Sequence, residues 1–176
     1  FAKPAREWTP TTWAEWSQAA HAIASGLIAR GVVPGDRIAI LGPTQPQWAI
    51  YEIAAQSAGC ISLGIYPKQS VQQVRYILEH SEAKFVFVSD EKELRTVLSA
   101  ANGLDSVEVI VPWNEELLSV AEDEPRVCSP TTFSEHPTNS DEIRRRVEQQ
   151  DPESAAIFVY TSGTTGPPKC AMISHA

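Results

Sequence analysis

One segment of this 176-residue chain combines residue types that suit chemistry on an anion. It runs from Tyr160 to Lys169 with the sequence YTSGTTGPPK, directly after the apolar run Ala155–Val159, which predicts a buried strand. Such a loop offers bare backbone N–H groups, short hydroxyls and one cation, and together these suit a polyphosphate. The residues by themselves therefore predict an anion-binding loop.

A plain turn and two nucleotide-binding motifs are the alternatives for this segment. On composition alone, a Gly/Ser/Thr/Pro cluster between apolar runs is usually just a turn. A Walker-type loop, G-x-x-x-x-G-K-[ST], needs its lysine directly after the second glycine. Here Gly163 and Gly166 are too close together, and two prolines separate Gly166 from Lys169. The dinucleotide pattern G-x-G-x-x-G also fails, so spacing excludes both motifs.

The whole segment, followed by Ala171–His175, resembles the phosphate-binding loop of the adenylate-forming enzymes. These are the acyl-CoA synthetases, the nonribosomal peptide adenylation domains and the luciferases. Only Cys170 departs from their pattern, which usually has glycine there. Four upstream segments are similar to the long-chain fatty acyl branch of the same family, in matching order along the chain. They are Asp36–Leu41, Gln47-Trp48, Ala58-Gly59 and Ile65-Tyr66-Pro67.

The resemblance implies that ATP activates a fatty acid to an acyl-adenylate, which then reacts with coenzyme A. Thr161 matches the position whose hydroxyl helps to coordinate Mg²⁺, and Lys169 the lysine that adds positive charge near the phosphates. Positions that wrap the β- and γ-phosphates, or let the backbone approach them, match Ser162, Gly163, Thr164, Thr165 and Gly166. If Cys170 needs positive φ, its side chain costs roughly 1 kcal/mol or more relative to glycine.

The resemblance also implies what this chain lacks. The adenine pocket, the acidic magnesium ligand, the hinge and the catalytic lysine of the C-terminal domain all follow the phosphate loop in the family. We therefore expect residues 1–176 to be the N-terminal part of the large domain, without a catalytic residue and inactive alone. Its partners would be ATP, the fatty acid, coenzyme A, the rest of the large domain and the C-terminal domain.

Alternating helices and strands must position the loop. Thr12 to Glu15 is a capping box, and apolar residues at helical spacing continue from it until Gly31 ends the helix. The remaining pattern predicts strands over 37–41, 61–66, 85–88 and 107–111 and helices over 45–57, 71–78 and 91–101. This order predicts an α/β fold with a mostly parallel sheet covered by helices.

Two later segments break the regular pattern. Prolines punctuate the polar stretch from Pro112 to Ser140, which predicts a surface loop with little structure of its own. Residues 141–150 are charged and include three consecutive arginines, Arg144–Arg146. Acidic residues flank that run, so a solvated helix face is favoured over a phosphate site.

Composition bounds the remaining possibilities. Hydrophobic residues make up 43% of the chain and charged residues 20%, as in an ordinary globular protein. No apolar run approaches the roughly 20 residues of a membrane span, and peripheral membrane association stays open. The N-terminus lacks the apolar core of a signal peptide; since it also lacks an initiator Met, we expect the chain to begin inside a longer protein. The formal charge of −8 argues against nucleic-acid binding.

The cysteines point to the redox setting. Cys60, Cys128 and Cys170 show no metal spacing and cannot all pair, which predicts a reducing, cytoplasmic environment. Cys60 lies in an apolar stretch and is expected to be a small core residue.

Three functions remain open on the sequence. The first is a fatty acyl-CoA synthetase, the second a synthetase for a medium-chain, aryl or amino acid, and the third a binding or interaction module that keeps the loop without catalysis.

Overall fold

A computed structural model describes residues 10–161 and 167–176 of the chain. The described residues contain six α-helices, six β-strands and one 3₁₀ helix. The α-helices are α1 (Trp13–Ala29), α2 (Pro46–Ser57), α3 (Val71–Ser81), α4 (Glu91–Ala100), α5 (Pro130–Ser134) and α6 (Ser140–Glu148). The strands are β1 (Arg37–Leu41), β2 (Ile61–Ile65), β3 (Phe85–Val88), β4 (Val109–Pro112), β5 (Ala155–Thr161) and β6 (Lys169–Ser174), and the 3₁₀ helix is Glu115–Val120.

The strands form one sheet in the order β4-β3-β1-β2-β5-β6. All neighbouring strands are parallel except β6, which runs antiparallel to β5. The prediction of a mostly parallel, helix-covered α/β sheet is confirmed. The buried β1 and β3 are neighbouring interior strands, and both consist largely of the apolar residues that a doubly covered strand requires.

Helices cover both faces of this sheet and enclose two separate apolar clusters. On one face, α3 and α4 pack against residues such as Leu63, Ile65 and Val86. On the other, α1, α2, α5 and α6 pack against Ile38, Ile40 and the aromatic residues of β3. Because the sheet separates the two clusters, each strand residue belongs to the α3 face or to the α2 face.

The helix boundaries follow local signals that the sequence displays. Thr12 and Glu15 form the predicted capping box at the start of α1, and Gly31, just after its end, has a φ of 82°, which favours glycine. Ser70 and Gln73 form a second capping box at the start of α3. None of the helices in the described part of the chain is both long and apolar enough to cross a bilayer.

The segment from Pro112 to Ser140 is more ordered than predicted. It contains the 3₁₀ helix and α5, and Val127 forms a bridge to Ile110 beside β4. Phe133 of α5 is fully buried against Phe85 and Phe87. The prediction of a surface loop with little structure was wrong, because several apolar side chains, among them Phe133, Ala121 and Val127, attach the segment to the core.

The arginine run on α6 also differs in part from the prediction. Arg144 and Arg145 are exposed, as a solvated helix face requires. The Arg146 side chain is only 10% exposed and pairs with Glu142 at 2.7 Å. Its guanidinium also donates to the carbonyls of Val32 and Ala58, so it ties α6 to the segments that end α1 and α2.

Candidate functional site

The ends of the predicted phosphate loop meet in an antiparallel hairpin. Thr161, the last residue of β5, pairs with Lys169, the first residue of β6, and Tyr160 pairs with Cys170. The hairpin therefore brings together two of the seven predicted site residues. The other five, Ser162, Gly163, Thr164, Thr165 and Gly166, lie outside the described residues.

Strand alternation assigns the hairpin side chains to two faces. Tyr160 is buried in the apolar cluster on the α3 face, and the partly buried Cys170 packs against the same cluster. Because successive side chains point to opposite faces of a strand, the next pair, Thr161 and Lys169, turns away from that cluster, and both residues are exposed. In residues 10–161 and 167–176, no carboxylate forms an ion pair with Lys169. A hydroxyl and an ammonium group thus stand side by side where the loop begins and ends.

Helix α3 is attached to both arms of the hairpin. The hydroxyl of Tyr76 donates to the carbonyl of Pro168 at 3.1 Å, and Nδ1 of His80 shares a hydrogen bond of 2.9 Å with the hydroxyl of Tyr160. The rings of Tyr76 and His80 stack with centroids 5.5 Å apart. One helix surface therefore holds the outgoing strand at Tyr160 and the returning chain at Pro168.

Burial keeps the side chains under the hairpin uncharged. It raises the pKa of the Tyr160 phenol well above its ordinary value, and it raises the pKa of the Cys170 thiol. Both groups keep their protons at neutral pH, so neither adds a negative charge beneath the predicted phosphate site. The predicted core position of Cys60 is confirmed: it is 1% exposed, and burial raises the pKa of its thiol to about 12.

The backbone of Cys170 does not have the positive φ that would strain its side chain. The residue lies within β6, paired with Tyr160. In the part of the chain that the structure describes, Lys68 and Glu82 are the non-glycine residues with positive φ. A strand residue in extended conformation does not need glycine, so the condition for strain at Cys170, a positive φ, is not met and the position tolerates a side chain.

The crevice between β1 and β3 is closed. In open α/β sheets ligands usually bind beyond the carboxyl ends of the strands, where the strand order reverses. Here that point lies between Gly42 and Ser89, and the indole of Trp113 occupies it. A Cβ on Gly42 would lie 2.5 Å from Cζ2 of Trp113 and 2.9 Å from Cβ of Ser89. Open space is found instead farther along the same edge, beside β2 and β5.

Two pockets flank the carboxyl ends of β2 and β5. The α2-face pocket measures about 390 Å³ and is lined mainly by apolar groups, including Trp48, Tyr66 and Val159. The α3-face pocket measures about 410 Å³, and its walls include Gln69 and Thr161. Tyr66 and Tyr160 line both. The hairpin thus emerges between two cavities, each close to the size of known small-molecule sites.

The loop between β2 and α3 is held by a buried carboxylate. Glu93, 3% exposed on α4, accepts a hydrogen bond of 2.8 Å from the backbone N–H of Lys68. Lys68 has a φ of 69°, which is uncommon for a residue with a side chain. This bond fixes the turn that follows Tyr66-Pro67, and with it one wall of both pockets.

The described residues offer little to a metal ion. Within 10–161 and 167–176 there is no group of three or more His, Cys, Asp or Glu side chains placed to hold one. Mg²⁺ is usually bound by one or two carboxylates together with substrate phosphates and water. Thr161 is exposed, and its hydroxyl fits as one neutral oxygen ligand of such an ion.

Sequence reasoning missed the residues that support the site. Nothing in the local pattern linked Tyr76 to Pro168, because the two lie far apart along the chain. The placement of Tyr76 and His80 four residues apart on one helix was the available signal, since such pairs share a helix face. Nothing in the sequence indicated a role for Trp113, because it follows β4, which lies at the opposite edge of the sheet from the hairpin.

Comparison with known proteins adds family and fold. The chain matches the family described as AMP-binding enzyme over residues 2–176. It is 31% identical over 169 residues to the long-chain-fatty-acid–CoA ligase FadD15 of Mycobacterium bovis, covering 96% of this chain and 27% of that protein. It is 30% identical over 172 residues to long chain acyl-CoA synthetase 2 of Arabidopsis thaliana, covering 95% and 26%. The chain thus spans about a quarter of the length of these relatives.

Solved structures share the fold. The adenylation domain of a carboxylate reductase from Mycobacterium chelonae superimposes with a TM-score of 0.74 at 26% identity, covering 96% of this chain and 28% of that chain. The luciferase-like enzyme of the mealworm Zophobas morio superimposes with a TM-score of 0.78 at 20% identity, covering 95% and 37%. At that lower identity the likeness concerns the fold alone.

Proposed function

Because this chain belongs to the AMP-binding enzyme family, we propose that it is the N-terminal part of the large domain of an AMP-forming acyl-CoA ligase. In this proposal its hairpin holds the triphosphate of ATP. The observation that carries the proposal is the pairing of Thr161 with Lys169 at the base of the predicted phosphate loop. That pairing sets one cation and one hydroxyl at the two ends of a segment rich in glycine and hydroxyl side chains.

The proposed reaction requires a cation and hydrogen-bond donors at the phosphates. The carboxylate of the acid attacks the α-phosphorus of ATP, and pyrophosphate leaves. Negative charge builds up on phosphate oxygens, so fixed donors that face those oxygens lower the barrier. Lys169 would neutralise part of that charge, and the predicted contacts of Ser162 to Gly166 would hold the β- and γ-phosphates. Each hydrogen bond to a charged group contributes about 1.5–3 kcal/mol.

Thr161 would have a double role at the same place. Thr161 is exposed at the end of β5, where its hydroxyl would donate to phosphate or give one oxygen to Mg²⁺. When bound with ATP, Mg²⁺ would neutralise phosphate charge. The remaining ligands of the ion would come from the nucleotide, from water and from parts of the protein outside this chain.

Long-chain fatty acids are the proposed acid substrates. The relatives from Mycobacterium bovis and Xenopus laevis are named long-chain-fatty-acid–CoA ligases. The mainly apolar α2-face pocket, with Trp48 and Tyr66 in its walls, is compatible with an apolar substrate close to the loop. ATP and coenzyme A complete the proposed set of substrates, and we place the reaction in the cytoplasm.

The test is a pyrophosphate-release assay on the full-length protein with acids of graded chain length. We expect release to require both ATP and an acid, with kcat/KM highest for long-chain fatty acids. Medium-chain, aryl and amino acids serve as comparison substrates. A preference for an aryl or amino acid would overturn the substrate assignment, and no release with any acid would overturn the proposed activity.

A further inference from the structure

Helix α3 reaches the predicted phosphate loop at the residue just before its lysine. The hydroxyl of Tyr76 donates to the carbonyl of Pro168, and that carbonyl belongs to the peptide group whose nitrogen is that of Lys169. Peptide groups are planar, so a bond to this oxygen also orients the backbone nitrogen of Lys169. The contact therefore acts on the backbone that carries the one cation of the loop.

The two prolines make this single bond effective. The ring of Pro168 fixes its own φ, and a proline also restricts the residue before it, which is Pro167. The remaining soft torsion at Pro168 is ψ, and the bond from Tyr76 restrains the peptide group that ψ rotates. Beyond it, Lys169 enters the sheet opposite Thr161. The backbone that leads into Lys169 therefore has little conformational freedom.

The donor itself is rigidly held. On α3, the side chains of Val74, Ile77 and Leu78 are at most 1% exposed, and a capping box fixes the start of the helix. The ring of Tyr76 stacks on His80, and His80 shares a hydrogen bond with Tyr160 on the other arm of the hairpin. Both arms of the hairpin are therefore bonded to α3: His80 holds Tyr160 on the outgoing strand, and Tyr76 holds Pro168 on the returning chain.

We propose that Tyr76 is a positioning residue for the phosphate-binding site. It acts through the Pro168 carbonyl to place Lys169 against the triphosphate. This inference rests on the proposed function, because it assigns Tyr76 to the ATP site of that same reaction. Tyr76 touches the carbonyl and not the nucleotide, so its effect is confined to ligands that carry the phosphates Lys169 would contact.

The test compares Tyr76→Phe with the matched variant Tyr51→Phe in the full-length protein. Each replacement removes one hydroxyl and keeps a ring. Tyr51 is 1% exposed and stacks on Phe87 at 4.1 Å, in the cluster on the opposite face of the sheet. Equilibrium dissociation constants for ATP and for AMP are measured by calorimetry without acid, together with melting temperatures and pyrophosphate release.

We expect Tyr76→Phe to weaken ATP binding about 5-fold, the scale of one net hydrogen bond. AMP, which lacks the β- and γ-phosphates, should bind as tightly as before, and Tyr51→Phe should leave both constants unchanged. An ATP constant within two-fold of the unmodified protein would overturn the inference. Equal weakening of ATP and AMP would also overturn it, because a general loosening of the fold affects both ligands.

The two proposals fail in different ways. If no acid supports pyrophosphate release but ATP binding still depends on Tyr76, the proposed activity is wrong and the positioning role stands. If release occurs but Tyr76→Phe binds ATP normally, the activity stands and the positioning role is wrong. If the unmodified protein does not bind ATP, both are wrong.

Discussion

Replacing Phe133 with alanine should destabilise the chain, although the residue lies in a segment that its sequence describes as a loop. The side chain is fully buried, with ring centroids 6.2 Å from Phe85 and 5.5 Å from Phe87 in edge-to-face geometry. The guanidinium of Arg30 lies 4.3 Å above the same ring. Removing the ring opens a cavity in the apolar cluster on the α2 face and removes a cation–π contact.

The expected cost follows from these contacts. Truncation of a core phenylalanine to alanine costs about 3–5 kcal/mol, and a cation–π contact adds about 0.5–2 kcal/mol. Because α5 has only five residues and can shift to fill part of the cavity, we expect the lower end, about 3 kcal/mol. That is a large share of the roughly 5–15 kcal/mol by which a domain is stable.

Urea unfolding of the chain, followed by circular dichroism, measures this loss. With a slope of about 2–3 kcal/mol per molar urea, the midpoint should fall by about 1–1.5 M. Thr132→Ala, which changes an exposed neighbour on the same helix, should shift the free energy of unfolding by less than about 0.5 kcal/mol. Equal midpoints for Phe133→Ala and Thr132→Ala would refute the packing of this segment into the core.

Two further variants test electrostatics and the loop. Hydrogen bonds from Arg145 and Arg146 lower the pKa of the Glu142 carboxyl from 4.5 to about 2, so its stabilising effect is complete above pH 4.5 and is lost between pH 4.5 and 2. In an acid titration of stability, Glu142→Gln should lose less across that window, and an unchanged titration would contradict the pairing. Cys170→Gly should keep ATP affinity within two-fold, since Cys170 packs on the α3 face, while glycine in a strand costs roughly 0.5–1 kcal/mol of stability; a large loss of ATP affinity would contradict this.

The alternation of strands and helices was predictable because its signals are local. The capping box of Thr12 and Glu15, the apolar spacing along α3 and the short apolar runs of β1 and β3 each lie within one element. A stretch of a few residues fixes such features whatever the rest of the chain does. The order of the strands was not predictable in this way, because β2 pairs with β5 across an intervening stretch of two strands, four α-helices and the 3₁₀ helix.

The region from Pro112 to Ser140 shows where local signals mislead. Prolines there predict an irregular chain, yet Pro130 stands in the first turn of α5, where a missing N–H costs nothing. Ser129 caps that helix by accepting a hydrogen bond from Thr132. Within α5 only Phe133 is buried, and one apolar residue is too sparse a pattern to predict a buried helix of five residues.

The chemistry of the candidate site was predictable from the sequence, whereas the contacts that hold the site in place were not. The types of residue from Thr161 to Lys169 suggested a phosphate loop without any structure. The contact that orients its returning arm joins Tyr76 to Pro168, and only the fold brings them together. The same limit applies to Trp113, which closes the crevice at Gly42 and leaves open space beside β2 and β5.

The most direct test of the central claim is ATP–pyrophosphate exchange by the full-length protein carrying Lys169→Ala, with Lys92→Ala, an exposed lysine on α4, as its matched control. Loss of a charged hydrogen bond of about 1.5–3 kcal/mol predicts that acid-dependent exchange falls about 10- to 100-fold in Lys169→Ala. Lys92→Ala should exchange at the unmodified rate. Equal exchange by the unmodified protein, Lys169→Ala and Lys92→Ala would contradict the assignment of this hairpin as the triphosphate-binding site.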